Sequence, residues 1–289
     1  MSIRRFIKKI FLKISPGYRL ANSNSVEIRK LKNKLDKDTN SIMNTVENIQ
    51  NISNHHTHNL SQSSLVNKWM FKQYAEIIAD VEFVGQELQD MYAYLYFKGK
   101  KNGFFVDIGA YDGVAISNTY ALEKIGWNGI CVEPIPEIYQ RLIKNRDCDC
   151  VDIAIYNEEE ELEFIQTMGG RSGAIKNMSK DMIAAAKDEG IVKNLPIKTK
   201  TFNKLMEKYD IEYIDFLSID VEGSEMYVLS SIDFNKYKFG LITIEKNHET
   251  NQAKTLLIEN GYKVFLDLGP DIFFIPQDIE IGMYWWTDP

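Results

Sequence analysis

The chain has 289 residues, of which 44% are hydrophobic, and a formal net charge of −7. Residues 1–20 carry six basic side chains and no acidic one, which leaves a net charge of −13 on the other residues. This composition suits one substantial core with an appendage. No run in the sequence approaches the ~20 apolar residues that span a membrane. The negative charge of residues 21–289 argues against nucleic acid as the main partner.

Residues 1–20 are predicted to form a basic amphipathic helix. Between residues 3 and 14, isoleucine and phenylalanine recur at helical spacing, with lysine and arginine on the other face. Such a helix can lie on an anionic membrane surface or pack against protein, and the pattern does not choose between the two. Because lysines interrupt the apolar residues, a signal peptide is disfavoured. We expect a cytoplasmic protein, with peripheral contact to the inner face of the membrane if the helix binds lipid.

Residues 21–64 are predicted to form a coiled-coil-like and linker region. Within residues 26–53 an apolar residue recurs at every seventh position, at Ile28, Leu35, Ile42 and Ile49. This is the spacing of a coiled-coil seam, which would make the protein a homo-oligomer. Polar residues interrupt the second apolar position of the repeat, so a solvated helical linker is the alternative.

Residues 65–289 are predicted to form the main domain, with its core at 104–276. Residues 65–98 are rich in aromatic side chains and are expected to form helices that cover a sheet or shape a pocket. From residue 104 onward, predicted strands alternate with predicted helices. The strands are 104–108, 129–133, 150–155, 213–219, 239–245, 262–267 and 271–275, and the helices are 114–125, 136–146, 178–189, 201–208, 223–231 and 250–260.

This alternation predicts an α/β fold in which a mostly parallel sheet carries helices on both faces. The last two strands are separated only by a short segment that contains Gly269-Pro270, so they are predicted to form an antiparallel hairpin.

The first strand leads into a turn that is typical of nucleoside-binding βαβ units, Asp107-Ile108-Gly109-Ala110-Tyr111-Asp112-Gly113. Gly109 has no Cβ, which allows a ligand to approach the backbone closely. The second strand ends at Glu133, where a carboxylate can accept hydrogen bonds from both hydroxyls of a ribose.

The same turn indicates which nucleoside ligand binds. A dinucleotide site requires Gly-x-Gly-x-x-Gly, whose amides face a pyrophosphate. Here Tyr111 replaces the second glycine, and Asp107 and Asp112 would repel a pyrophosphate. The carboxylates suit the sulfonium and ammonium groups of S-adenosylmethionine. An NAD-linked oxidoreductase and a non-catalytic, membrane-associated scaffold with the same fold are the alternatives.

Over about residues 80–276 the sequence resembles the FkbM family of S-adenosylmethionine-dependent methyltransferases. The matching segments are 106–110, 117–120, 131–134, 218–225 and 242–245, and the most specific is Asp-Val-Glu-Gly-Ser-Glu at 220–225. The resemblance implies a Rossmann-like class I methyltransferase fold with a seven-stranded sheet. It also implies O-methylation, often of a sugar or another small metabolite.

The resemblance further implies roles for individual residues. Asp107 and Gly109 belong to the first cofactor motif, which continues through Tyr111, Asp112 and Gly113. Glu133 is implied to bind the ribose. Asp152 lies in the segment that usually faces the adenine, and Asp220 ends the strand whose tip faces the methyl group.

The proposed chemistry requires positioned reactants and a group that accepts the proton of the attacking hydroxyl. Asp220, Glu245 and His248 lie at or just past predicted strand ends. We assign Asp220 to sulfonium-side electrostatics or proton abstraction, Glu245 to orientation of the acceptor hydroxyl, and His248 to a secondary base.

Glu222 adds a third carboxylate to Asp220 and Glu245. The three offer the oxygen ligands that Mg²⁺ and Mn²⁺ prefer, although no spacing in the sequence requires a metal. The predicted function is O-methylation of a sugar or glycan intermediate of cell-surface polysaccharide or glycolipid synthesis.

Overall fold

The computed structural model describes residues 81–168 and 170–280. The predicted amphipathic helix at 1–20, the heptad repeat at 26–53 and the boundaries at 20 and 64 therefore lie outside the described residues. Within the described ranges, every helix is too short or too polar to cross a lipid bilayer.

The helices and strands of the described chain largely follow the predicted alternation. The helices are α1 (Gln89–Tyr96), α2 (Tyr120–Lys124), α3 (Pro136–Asn145), α4 (Lys180–Glu189), α5 (Phe202–Met206), α6 (Glu225–Ser230) and α7 (Thr250–Glu259). The strands are β1 (Phe104–Ile108), β2 (Asn128–Val132), β3 (Asp149–Val151), β4 (Ala154–Ile155), β5 (Glu161–Thr167), β6 (Gly173–Ala174), β7 (Ile191–Lys200), β8 (Tyr213–Ile219), β9 (Lys238–Glu245), β10 (Tyr262–Leu268) and β11 (Asp271–Pro276).

The main sheet has seven strands in the order β10-β11-β9-β8-β1-β2-β3. Strands β3, β2, β1, β8 and β9 run parallel. Strand β11 is antiparallel to β9, and β10 is antiparallel to β11. The prediction of a mostly parallel seven-stranded sheet that ends in an antiparallel hairpin is confirmed, and with it the Rossmann-like class I methyltransferase fold.

Both faces of this sheet are covered by helices, as predicted. Along β1, Phe105 points into one apolar cluster, whereas Val106 and Ile108 point into the other. Helices α5, α6 and α7 pack on the Val106 face, and α1 and α2 pack on the Phe105 face. Because both faces are buried, the strands are continuous apolar runs instead of alternating ones.

A second, smaller sheet with the order β4-β7-β5-β6 was not predicted. The predicted strand 150–155 is wrong as a single strand, because β3 ends in the main sheet and β4 pairs with β7 in the smaller one. Strand β7 was not predicted because it is rich in lysine and mostly exposed, so it lacks the apolar run that marks the buried strands. Its other pairing partner is β5, which lies about thirty residues earlier.

The predicted helix 114–125 is also wrong in its first half, since only α2 is helical there. Residues 114–119 form an irregular loop in which Ile116 has a left-handed backbone (φ 53°). The buried guanidinium of Arg146 holds this loop by donating to the carbonyl oxygen of Gly113 and the hydroxyls of Ser117 and Thr119. These distant contacts replace the helical hydrogen bonds.

Candidate active site

An open cavity lies at the carboxyl ends of β1, β2, β8 and β9, with an empty volume of about 1050 Å³ that includes its mouth. The chain passes from β1 to β2 on one side and reaches β8 on the other, so the cavity lies where the strand order reverses. Open α/β sheets bind their ligands at this point. Six of the predicted site residues line the cavity: Asp107, Gly109, Tyr111, Glu133, Asp220 and Glu245.

Gly109 is required for close packing of two loops at the floor of the cavity. Its φ is +93°, and a Cβ built on it would lie 1.8 Å from the carbonyl oxygen of Asp220. The sequence predicted that Gly109 admits a ligand. The atom that a side chain here would meet first belongs instead to the loop after β8. This glycine therefore allows the cofactor motif (107–113) and the acidic motif (220–225) to pack together.

Asp107 is buried and tied into a network beneath the cavity. Thr119 donates its hydroxyl to Oδ2 at 2.7 Å, and Arg146 donates in turn to the Thr119 hydroxyl. Burial raises the pKa of Asp107, and Thr119, Arg146 and Ser218 oppose that rise. The network fixes the orientation of this carboxyl group before any ligand binds.

Glu133 is 6% exposed and lies just past the end of β2. The backbone amide of Ile135 donates to its Oε1 at 2.8 Å. Burial raises the pKa of Glu133 to about 7, although the amides of Ile135 and Tyr111 favour the charged form. A buried carboxylate gains most from hydroxyl donors supplied by a ligand, so its chemistry fits a ribose.

Four predicted site residues do not line the cavity: Asp112, Gly113, Asp152 and His248. Asp112 accepts hydrogen bonds from the amides of Val114 and Ala115, so its carboxylate shapes the loop. Gly113 has φ +82° and packs against Leu142 and Arg146.

Asp152 and His248 are exposed to solvent. In the segment proposed to face the adenine, Ile153 and Ala154 line the cavity in place of Asp152, which directly precedes them.

The acidic motif forms a strained turn between β8 and α6. Glu222 has a left-handed backbone (φ 55°), as has Gly223 (φ 102°). The carboxylate of Glu225 accepts the amides of Val221 and Gly223 at 3.1 and 3.2 Å, which ties the turn together. The N-cap of α6 is Ser224, so Asp220 does not cap this helix.

Asp220, Glu222 and Glu245 form a carboxylate cluster in the cavity, with one oxygen of each within 4.8 Å of the other two. Burial raises the pKa of all three, and each is raised further by neighbouring negative charge. Asp271 lies opposite Glu245 in the sheet register. Burial and the charge of Asp220 raise the pKa of Asp271 to about 8. The cluster therefore favours protons or cations at neutral pH.

Among the cavity residues that sequence reasoning missed are Asn118 and Tyr156. Asn118 is 7% exposed, and its amide nitrogen donates to the Ser218 hydroxyl at 2.9 Å. Its place in the Ser117-Asn118-Thr119 run was a usable signal. Tyr156 stacks on Tyr227 with ring centroids 4.6 Å apart. No signal pointed to Tyr156, because β4 was merged with β3.

The sequence matches a known protein family. The Methyltransferase FkbM domain matches residues 107–264, just over half of the chain. The chain therefore belongs to the FkbM family of S-adenosylmethionine-dependent methyltransferases. No curated protein sequence matches it.

Several solved structures are similar to this chain. Methyltransferase FkbM from Methylobacillus flagellatus KT is 15% identical, with 81% of this chain and 60% of that chain covered and a TM-score of 0.40. The present chain thus spans 60% of the length of that relative. A precorrin-6Y C5,15-methyltransferase from Geobacter metallireducens GS-15 is 10% identical, with coverage of 66% and 87% and a TM-score of 0.37. A methyltransferase from Pyrococcus furiosus is 15% identical, with coverage of 75% and 97% and a TM-score of 0.32.

Proposed function

We propose that this protein transfers a methyl group from S-adenosylmethionine to a hydroxyl of a sugar or glycan intermediate in the synthesis of cell-surface polysaccharide or glycolipid. One observation carries the proposal: a single cavity holds the buried Glu133 carboxyl and, at neighbouring strand ends, the carboxyls of Asp220 and Glu245. The first suits a ribose, and the other two suit a hydroxyl that must lose a proton.

The cavity residues fit S-adenosylmethionine, which supplies a methyl carbon attached to positively charged sulfur. Glu133 would accept hydrogen bonds from the ribose hydroxyls, and Ile135, Ile153 and Ala154 offer an apolar wall for the adenine.

Asp220 and Glu245 would accept the proton that the acceptor hydroxyl loses. Asp220 directly follows β8, and Glu245 ends the adjacent parallel strand β9. One oxygen of each carboxyl lies within 4.8 Å of an oxygen of the other. Because burial raises both pKa values, the ionised member of the pair is a stronger base than an exposed carboxylate. A base whose pKa approaches the working pH is effective at removing a hydroxyl proton.

A sugar acceptor agrees with the carboxyl groups that line this open cavity. The carboxylates at its floor can accept hydrogen bonds from several hydroxyls at once. The basic segment 1–20 would bring the enzyme to an anionic membrane surface, where glycolipid intermediates are found.

A labelled-methyl assay tests the proposal. The full chain would be incubated with labelled S-adenosylmethionine and fractionated cell-envelope sugar precursors, and products would be identified by mass. We expect label in a sugar fraction. Asp220→Asn should lower kcat by at least about 100-fold, the typical contribution of a general base, with cofactor affinity nearly unchanged.

Glu207→Gln is the matched control, because Glu207 is exposed and paired with Lys204 away from the cavity. Cofactor binding without transfer to any sugar fraction would contradict the acceptor class. Undiminished turnover in Asp220→Asn would refute the role of that residue. Binding of NADH in place of S-adenosylmethionine would favour the oxidoreductase alternative.

A further inference from the structure

We propose that Asp220, Glu222 and Glu245 bind one divalent cation that prefers oxygen ligands, Mg²⁺ or Mn²⁺. All three side chains line the cavity, and each offers an oxygen within 4.8 Å of the other two. The binding itself stands on these residues alone. The part that the cation plays in catalysis rests on the proposed function.

The spacing of the three oxygens suits a single ion. At a metal–oxygen distance of about 2.1 Å, adjacent ligands of an octahedral Mg²⁺ lie about 3 Å apart and opposite ligands about 4.2 Å apart. The oxygens must therefore approach one another by less than about 2 Å. Rotation of the two long glutamate side chains can supply this movement without a change in the sheet.

Around the cluster, the described chain places more acidic than basic side chains. Asp107, Glu225 and Asp271 are further acidic side chains next to Asp220. Basic side chains near these acids form ion pairs with other residues: Arg171 pairs with Glu189, and Lys246 pairs with Asp267. S-adenosylmethionine carries one net positive charge. A divalent cation would offset part of the remaining negative charge.

A second observation, independent of the acids, also points to a bound donor. Asn118 is nine-tenths buried and lines the same cavity. Its amide nitrogen is fixed on Ser218, two residues before Asp220, whereas its Oδ1 has no hydrogen-bond partner in the described part of the chain. A buried acceptor is normally satisfied. A water molecule held by a cation at Asp220 would donate to it.

Such an ion would define the acceptor more narrowly. Three carboxylate oxygens fill half of an octahedral shell, which leaves positions for water and for two neighbouring hydroxyls of one substrate. A divalent cation lowers the pKa of a hydroxyl that it binds. We infer that the acceptor presents a vicinal diol, as many sugars do, and that the cation helps Asp220 and Glu245 to remove its proton.

Binding of Mn²⁺ to the full-length, chelator-treated protein tests the site without cofactor or acceptor. Free Mn²⁺ would be followed by electron paramagnetic resonance during a titration. We expect one Mn²⁺ per chain, with affinity at least about tenfold weaker in Asp220→Asn and in Glu245→Gln, in line with the ~10–100-fold that changes around a metal site typically cost. Affinity should be unchanged in Glu207→Gln.

The outcomes separate this inference from the proposed function. Circular dichroism would establish that each variant is folded, and calorimetry would measure S-adenosylmethionine binding to the same chelator-treated samples. Absence of Mn²⁺ binding at millimolar concentration, or equal binding in all variants, overturns the site even if the cofactor binds. Mn²⁺ binding without cofactor binding supports the site and contradicts the proposed function.

Discussion

Replacement of Glu133 by glutamine is expected to weaken S-adenosylmethionine binding roughly 10- to 140-fold at pH 8. Glutamine keeps the size of the side chain and one acceptor oxygen, but it removes the charge. A hydrogen bond to a charged group contributes about 1.5–3 kcal/mol, and each 1.4 kcal/mol is about tenfold in affinity. Because Glu133 is almost fully buried, solvent does not screen this loss.

The same residue predicts how affinity changes with pH. Hydroxyl donors favour the ionised carboxylate, so binding must remove the proton from any Glu133 that carries one. With a pKa of about 7, the ionised fraction of Glu133 falls about tenfold between pH 8 and pH 6. A tenfold change corresponds to about 1.4 kcal/mol of binding free energy. Wild-type affinity should fall accordingly, whereas Glu133→Gln should lack this part of the slope.

Isothermal titration calorimetry at pH 6, 7 and 8 would measure both effects, and buffers of different ionisation enthalpy would report the released proton. A glutamine variant with wild-type affinity would show that Glu133 does not hold the ribose. Equal pH slopes in the two proteins would show that another group titrates, and would refute the reasoning from burial.

Three further predictions concern stability and membrane contact. Gly109→Ala should cost more than about 4 kcal/mol of unfolding free energy, because its Cβ would strike the backbone of Asp220. Gly126→Ala shares a positive φ but has open space around it, so urea unfolding should show a loss of only about 1–2 kcal/mol; equal losses would argue against the clash. The pKa of Asp271, about 8, exceeds its unfolded value of about 3.9, so its stabilising effect is complete below that lower value and is lost as pH rises through 8. Asp271→Asn should therefore flatten the decline of melting temperature over this window, and parallel curves would contradict this. Deletion of residues 1–20 should reduce sedimentation with anionic vesicles, whereas unchanged sedimentation would indicate a helix that packs on protein.

The central strands could be predicted from the sequence because burial on both faces leaves an unmistakable pattern. The predicted ranges 104–108 and 213–219 coincide with β1 and β8. Both strands are short apolar runs whose partners also lie in the core, so local sequence and tertiary environment agree. Glu133 and Asp220 were found for the same reason, since each directly follows such a strand.

The rest depended on contacts between distant parts of the chain. The loop after β1 is held by Arg146, which lies beyond the next strand and helix. Helical propensity alone could not reveal that contact. His248 and Asp152 adjoin strand ends in sequence, yet the path of each loop leaves them exposed. Proximity to a strand end identifies candidates, but the loop decides which of them reach the cavity.

The smaller sheet has a consequence for how related enzymes could change their acceptor. Strands β4 and β7 pair in parallel, with Ala154 beside Thr199 and Ile155 beside Lys200. The segment between them therefore departs from and returns to neighbouring points, while β5 contributes Leu162 and Phe164 to the cavity wall. A graft of residues 157–198 from another enzyme would replace one wall of the pocket, while β1, β2, β8 and β9 keep their sequence. Exchange of this segment could therefore change which acceptor the enzyme binds, in natural relatives and in engineered variants.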